Sequence, residues 1–220
     1  MTKTIIITAG GIGKRMQSHL PKQFIELNGS PILMHTILKF NHYDADIDIV
    51  VVLPLAHING WKTLIKKHNF DIKHQIIDGG KERFDSVKKG LSMAKGDLIG
   101  IHDAVRPLVS TKVIAECFEA LKTHQAVVPV VSVKESIRWV NSEGSKSLNR
   151  NEYKIVQTPQ CFTKNVIIEA YKQPFNVTYT DDASVVEKLG VPIHLVNGNE
   201  ENIKITTPLD LEVAKLMLNA

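Results

Sequence analysis

Two glycine-rich turns and a few well-placed cations carry the chemistry this sequence offers. Residues 8–16 read T-A-G-G-I-G-K-R-M. Gly10, Gly11 and Gly13 let the backbone beside Ala9 turn its N–H groups toward an anion, and Lys14 and Arg15 add charge from within the turn. A dinucleotide fingerprint would need glycine where Met16 stands, and a Walker loop would need Ser or Thr where Arg15 stands, so both are disfavoured. Pro21-Lys22-Gln23 follows closely and adds Lys22 to the set. Residues 78–87, D-G-G-K-E-R-F-D-S-V, repeat the device. Gly79 and Gly80 permit close approach of a ligand, Ser86 offers a hydroxyl, and Arg83 sits in a first helical turn, where Glu82 and Asp85 read as ordinary helix-start charges.

Three further segments hold reactive side chains. H-D-A-V-R-P, residues 102–107, sets Asp103 where it suits a ribose hydroxyl or a metal ion, with Arg106 fixed by Pro107; a structural Asp103–Arg106 ion pair fits the same spacing. His102 belongs to no metal-ligand spacing and reads as structural. In the second half stand Q-T-P-Q (157–160) and T-D-D-A-S (180–184), where Asp182 is what any helix N-terminus favours. N-I-K-I-T (202–206) follows, with Lys204 between two isoleucines on an expected strand, either at an open sheet edge or in the site.

The elements that must position these residues alternate. Apolar runs predict strands at Lys3–Thr8, Ile47–Leu53, Ile72–Ile77, Leu98–His102, Ala126–Val131, Ile193–Val196 and Asn202–Thr206. Helical spacing predicts helices over Pro31–Asn41, Leu55–His68, Lys81–Ala94 and Thr111–Lys122, with others from Thr163 and after Thr180. A last helix has Thr207 as N-cap, Pro208 at its first position and Asp210 at its third. The alternation implies an α/β, Rossmann-like fold: a mostly parallel twisted sheet with helices on both faces and ligands beyond the C-terminal strand ends. Val133–Val156 breaks the rhythm and reads as a protruding β-arm turning at Asn141–Gly144. Exposing Trp139 there is unfavourable, so either a partner subunit covers it or the arm folds back on its own sheet.

Composition narrows the classes. With 220 residues, 43% hydrophobic, the chain suits one domain of the usual ~100–200 residues or slightly more. No apolar run suits a membrane helix, and the start lacks a signal peptide's long apolar stretch. Cys117 and Cys161 form no CxxC pair, which argues against a disulfide scaffold or a zinc site and for a cytoplasmic location. The net charge is +4, but residues 1–110 carry 15 cations against 10 anions, and residues 111–220 carry 12 against 13. The excess therefore lies in the half that holds the glycine-rich turns. Only five cations are Arg: Arg15, Arg83, Arg106, Arg138 and Arg150. Arg grips phosphate with a planar fork that Lys cannot copy. Spread lysines and 6% aromatics do not make a nucleic-acid-binding stripe.

Eight segments in order resemble the 2-C-methyl-D-erythritol 4-phosphate cytidylyltransferase family: A-G-G-I-G-K-R-M, P-K-Q, D-G-G-x-x-R-x-x-S-V, H-D-A-V-R-P, E-S-I-R, Q-T-P-Q, T-D-D-A-S and E-N-I-K-I-T. The resemblance implies one nucleotidyltransferase domain over residues 1–220 and an arm over about 132–157 that interlocks two subunits into a homodimer. It implies transfer of CMP from CTP to methylerythritol phosphate with Mg²⁺. Arg15, Lys22, Lys204 and Arg150 would be catalytic. Ala9, Gly10, Gly11, Gly13, Gly79, Gly80, Arg83, Ser86 and Asp103 would bind CTP, with Mg²⁺ held mainly by the triphosphate and Asp103 nearby. Arg106, Ser136, Arg150, Thr158, Thr180 and Lys204 would cradle the sugar phosphate. The chain departs from the family pattern at Thr8-Ala9-Gly10-Gly11, at Glu135-Ser136-Ile137-Arg138, where Asp-Thr-hydrophobic-Lys is common, and at Lys81, where an acid is common. The rival readings are a ribitol-5-phosphate cytidylyltransferase and, more distantly, a non-catalytic nucleotide- or nucleic-acid-binding protein; neither nucleic acid nor membrane is expected as a partner.

Overall fold

The computed structural model describes residues 1–11, 16 and 20–219. Its central sheet starts from β1 (Lys3–Thr8), which lies between β4 (Asp48–Leu53) and β6 (Leu98–Asp103), both parallel to it. β5 (Gln75–Asp78) extends the sheet beyond β4, and β11 (Gln160–Thr163) extends it antiparallel beyond β6. β7 (Ala126–Ser132) follows β11 and pairs with β10 (Lys154–Val156) and, in parallel, β12 (His194–Asn197). The short strands β2 (Glu26–Leu27) and β3 (Ser30–Pro31) form a separate hairpin.

Alternation along the buried strands builds a core on each face. Ile5 and Ile7 face one way, onto α1 (Ile32–Tyr43), α2 (Leu55–Lys67) and α4 (Thr111–Ala120). Ile6 faces the other way, onto α3 (Arg83–Met93), α5 (Lys164–Ala170) and α6 (Asp182–Glu187). The doubly covered, mostly parallel sheet is the one the alternating pattern implies. Trp61 of α2 is fully buried, stacks on Phe24 and donates from its indole to His74.

Two expectations are corrected. The third strand begins at Gln75, three residues after Ile72. Residues 202–206 form no strand. Their apolar alternation is satisfied by packing instead: Ile203 and Ile205 join Met16, Leu27, Ile32 and Ala214 in a third cluster, and Ile205 N–H donates to the Val105 carbonyl at 2.9 Å. The last helix, α7 (Pro208–Asn219), starts as its three signals require. Asp210 accepts from the N–H groups of Thr206 and Thr207, and Thr207 Oγ accepts from Asp210 N–H.

The arm folds back on its own sheet only in part. Its tip is a hairpin of β8 (Arg138–Asn141) and β9 (Gly144–Ser147), exposed along both strands, with Lys146 over the Trp139 ring. Its return strand, β10, folds onto the chain's own sheet beside β7.

Candidate active site

The parallel strands β1, β4 and β6 end at a cavity of about 260 Å³, where strand exits and their loops converge. The first glycine-rich turn forms one wall. Ala9 N–H still bonds the Val52 carbonyl, and Gln23, buried, donates to the Ala9 carbonyl at 2.8 Å, so the turn leaves the sheet at a fixed place. Gly10 and Gly11 line the cavity with Lys22. A Cβ on Gly11 would lie 2.6 Å from Lys22 Cε, so the glycine leaves room for the lysine stem to cross as it does. Gly13 and Arg15 lie outside the described residues.

The second turn forms the opposite wall. Gly80 passes so close to the start of α3 that a Cβ would meet Asp85 Cβ at 2.1 Å. Ser86 Oγ accepts from Gly80 N–H and donates to the Glu82 carbonyl, so this hydroxyl organises the turn that it lines together with Gly79 and Gly80. Glu82 and Asp85 form a capping box, the helix-start role expected of them.

Arg83 reaches the cavity from α3 and is gripped from behind. Its two terminal nitrogens donate to the two oxygens of Asp182 at 2.8 and 2.6 Å, and Asp182 is fully buried. Tyr171 O–H donates to the same carboxylate at 2.6 Å while its ring stacks on Phe84. Burial works against the Arg83 charge, but Asp182 outweighs it and raises the pKa further. Asp182 thus does more than favour a helix N-terminus. Asp181 is the N-cap of α6, accepting from Ser184 N–H, while Asp182 turns inward as the ion-pair partner. Sequence reasoning missed Asp182 and Tyr171; two consecutive acids at a helix start, of which a cap needs one, were the available signal.

Asp103 ends β6 at the cavity floor. Lys204 approaches its carboxylate at 3.0 Å and Arg106 Nε at 3.3 Å. Burial pushes this carboxyl up, but Lys204, Arg83 and Arg106 together hold it well below the usual carboxylate range. Lys204 lines the cavity. Arg106 lies behind Asp103, its guanidinium donating to the Asn202 carbonyl at 2.7 Å.

The remaining expected residues are dispersed. Thr158 is buried, and its Oγ accepts from Asp103 N–H and lies 2.9 Å from His102 Nδ1. With His102 Nε2 at 3.1 Å from the Arg106 carbonyl, the network assigns Nε2–H as donor and Nδ1 as acceptor of the Thr158 proton. The Thr158 hydroxyl thus ties the end of β6 to His102. Thr180 lies at a smaller neighbouring pocket, of about 140 Å³, that shares Glu82 and Arg83 with the first. Ser136 and Arg150 lie exposed on the arm, outside the cavity, with the Arg150 guanidinium donating to the Lys134 carbonyl. Arg138 spans the hairpin to Ser145.

Burial pushes the His102 imidazole down to about 4, so it is neutral in the folded chain. The unfolded histidine titrates near ~6.5, so protons favour unfolding below that pH. Stability is full above pH ~6.5 and falls toward pH ~4, by on the order of 3 kcal/mol from this group. Urea denaturation at pH 7, 5.5 and 4.5 checks it: His102→Gln should flatten the slope over this window, and an unchanged slope would assign it elsewhere.

Among the described residues no cluster of three or more His, Cys, Asp or Glu could hold a metal ion. What the cavity offers is an anion cradle: two glycine turns, with the cations Lys22, Lys81, Arg83 and Lys204 outnumbering the carboxylates Glu82 and Asp103 in its lining.

The fold and the sequence both have known relatives. A crystal structure of 4-diphosphocytidyl-2C-methyl-D-erythritol synthase from Anaerococcus prevotii superposes with a TM-score of 0.85 at 27% identity, covering 100% of this chain and 96% of that one. The Thermus thermophilus 2-C-methyl-D-erythritol 4-phosphate cytidylyltransferase superposes at 0.82 with 29% identity, covering all of both chains. A Bacteroides fragilis protein of the same name is 51% identical over 219 residues, 99% of this chain and 100% of the relative. The family model for 2-C-methyl-D-erythritol 4-phosphate cytidylyltransferase matches residues 3–220, and the chain belongs to that family.

Proposed function

We propose that the chain transfers CMP from CTP to 2-C-methyl-D-erythritol 4-phosphate, giving 4-diphosphocytidyl-2-C-methyl-D-erythritol and pyrophosphate. A phosphate oxygen of the sugar forms a bond to the α-phosphorus of CTP, and the bond from that phosphorus to the bridging oxygen of the β-phosphate breaks. The nucleophile is already an anion, so no general base is needed; the work is to hold two repelling anions in line and neutralise the charge that develops. The observation that carries this reading is the convergence of Lys22, Arg83 and Lys204 on one cavity between two glycine turns. Ala9, Gly10, Gly11, Gly79 and Gly80 form the nucleotide side, with Ser86 holding the second turn. Lys22 and Lys204 stabilise the phosphates, and Arg15 completes the set from the first turn.

When bound, Mg²⁺ would supply charge neutralisation on the triphosphate. Asp103 is the acid at the cavity floor, already paired with Lys204 and Arg106, so a hard cation there would draw most of its oxygen ligands from the nucleotide.

Offering methylerythritol phosphate and ribitol 5-phosphate in parallel with CTP and Mg²⁺ tests the assignment. Pyrophosphate release is expected with the first; equal or faster turnover of ribitol phosphate overturns the choice, and none with either overturns the reaction.

The arm, residues 132–157, is the dimer contact in this reading, and the rest of residues 1–220 one nucleotidyltransferase domain. Trp139, Val140, Tyr153, Ile155 and Val156 are exposed there and ask for cover. Ser136 and Arg150 lie away from their own cavity, consistent with service in the partner's. Sedimentation at micromolar concentration should give a dimer, and Trp139→Asp should give monomer with low turnover; a wild-type monomer would count against the arm exchange. The phosphorylated substrates fit a cytoplasmic enzyme, and no described helix is long and apolar enough to cross a membrane.

A further inference from the structure

Lys204 sits on a segment without a strand ladder, so something else must fix it. Asn202, fully buried two residues earlier, does so on one side. Its Nδ2 donates to the Thr158 carbonyl at 2.8 Å and to Gln157 Oε1 at 3.3 Å, and its backbone carbonyl accepts from Arg106. These two acceptors fix the orientation of the amide, because a flipped amide would set oxygen against oxygen. The cost is visible: Asn202 Oδ1 is buried with no hydrogen-bond partner among the described residues. A fold retains such an orphan where the group's other contacts hold a needed geometry.

Those contacts join two regions. Gln157 and Thr158 directly follow β10 and are the root of the arm. The Gln157 carboxamide donates to the Asn199 carbonyl and lies against Gly198, where a Cβ would come within 2.3 Å of Gln157 Oε1. On the other side, Arg106 runs from the Asn202 carbonyl to Asp103, and Asp103 pairs with Lys204.

We propose that Asn202 is a positioning residue that couples the root of the arm to Lys204, acting along the chain and through Arg106 and Asp103, so that the setting of the arm fixes where this lysine meets the acceptor phosphate. The inference rests on the reading of the cavity as a cytidylyl-transfer site.

A double-mutant cycle tests it. Asn202→Ala should lose roughly tenfold in kcat/KM for methylerythritol phosphate, with the KM for CTP changed less than about twofold. Combined with Lys204→Ala, the two losses should come to well under their product, because the asparagine acts through the lysine. A merely structural asparagine would lower the melting temperature and leave the losses multiplicative; multiplicative losses, or no loss, overturn the proposal. Gly198→Ala displaces the Gln157 carboxamide without touching either cation, and about a threefold loss in the same parameter is expected. If Asn202→Ala fails to fold, the cycle of Gly198→Ala against Lys204→Ala decides. Calorimetric titration of inorganic pyrophosphate into the same variants needs no turnover. A wild-type chain that made no cytidylyl product would therefore sink the reaction, while the coupling still stood or fell on the affinity cycle.

Discussion

Lys22→Ala should lower kcat by roughly 100-fold or more while the fold persists. The side chain is delivered by two anchors that the substitution leaves in place. Gln23 bonds the Ala9 carbonyl, and Phe24 is buried in a stack with Trp61. The lysine stem crosses Gly11 into the cavity, where a fixed cation meets charge that grows on the triphosphate as the new bond forms. An interaction that strengthens in the transition state shows in kcat, so the KM for CTP should move less than kcat. Lys22→Arg should recover only part of the rate, because a planar fork presents its charge in a different place from a compact ammonium. Steady-state kinetics with urea denaturation separates the cases: stability within about 1 kcal/mol of wild type is expected, and near-normal turnover would remove Lys22 from the chemistry.

Asp182→Ala should give the largest stability loss of any single substitution in the site, about 3 kcal/mol. The carboxylate is fully buried, and three donors depend on it: two from Arg83 and the phenol of Tyr171. Removing it leaves a cation partly inside the protein with no counter-charge and a buried hydroxyl without an acceptor. Asp182→Asn keeps the shape and loses the charge, so an intermediate loss is expected. Arg83 would no longer be aimed at the cavity, and the KM for CTP should rise in both variants. Urea denaturation and CTP titration measure the two effects; a loss under about 1 kcal/mol would mean that solvent replaces the carboxylate, and that Arg83 is not held from behind.

Much of the fold was legible because its signals are local. The buried run of β1, the glycines at the exits of β1 and β5, and the Thr207-Pro208-Asp210 start of α7 each occupy a few consecutive residues. Failures came where packing replaced pairing. The alternation at Ile203 and Ile205 is the same whether a ladder or a hydrophobic cluster uses it, and here the cluster does. The motif around Thr158 likewise gave no sign that its hydroxyl bonds His102 and Asp103, which only the packing shows.

The sequence by itself determined which residues are present at each strand exit, that glycines stand in the turns after β1 and β5, and that positive charge concentrates in residues 1–110. Only the tertiary structure decided what each charge does. Arg83 and Asp182 are 99 residues apart, and Arg106 meets the Asn202 carbonyl across 96. No local propensity encodes such pairings. They exist because the sheet order brings α3 beside α6 and the end of β6 beside the segment of Lys204, and because a charge taken out of water must find its partner there.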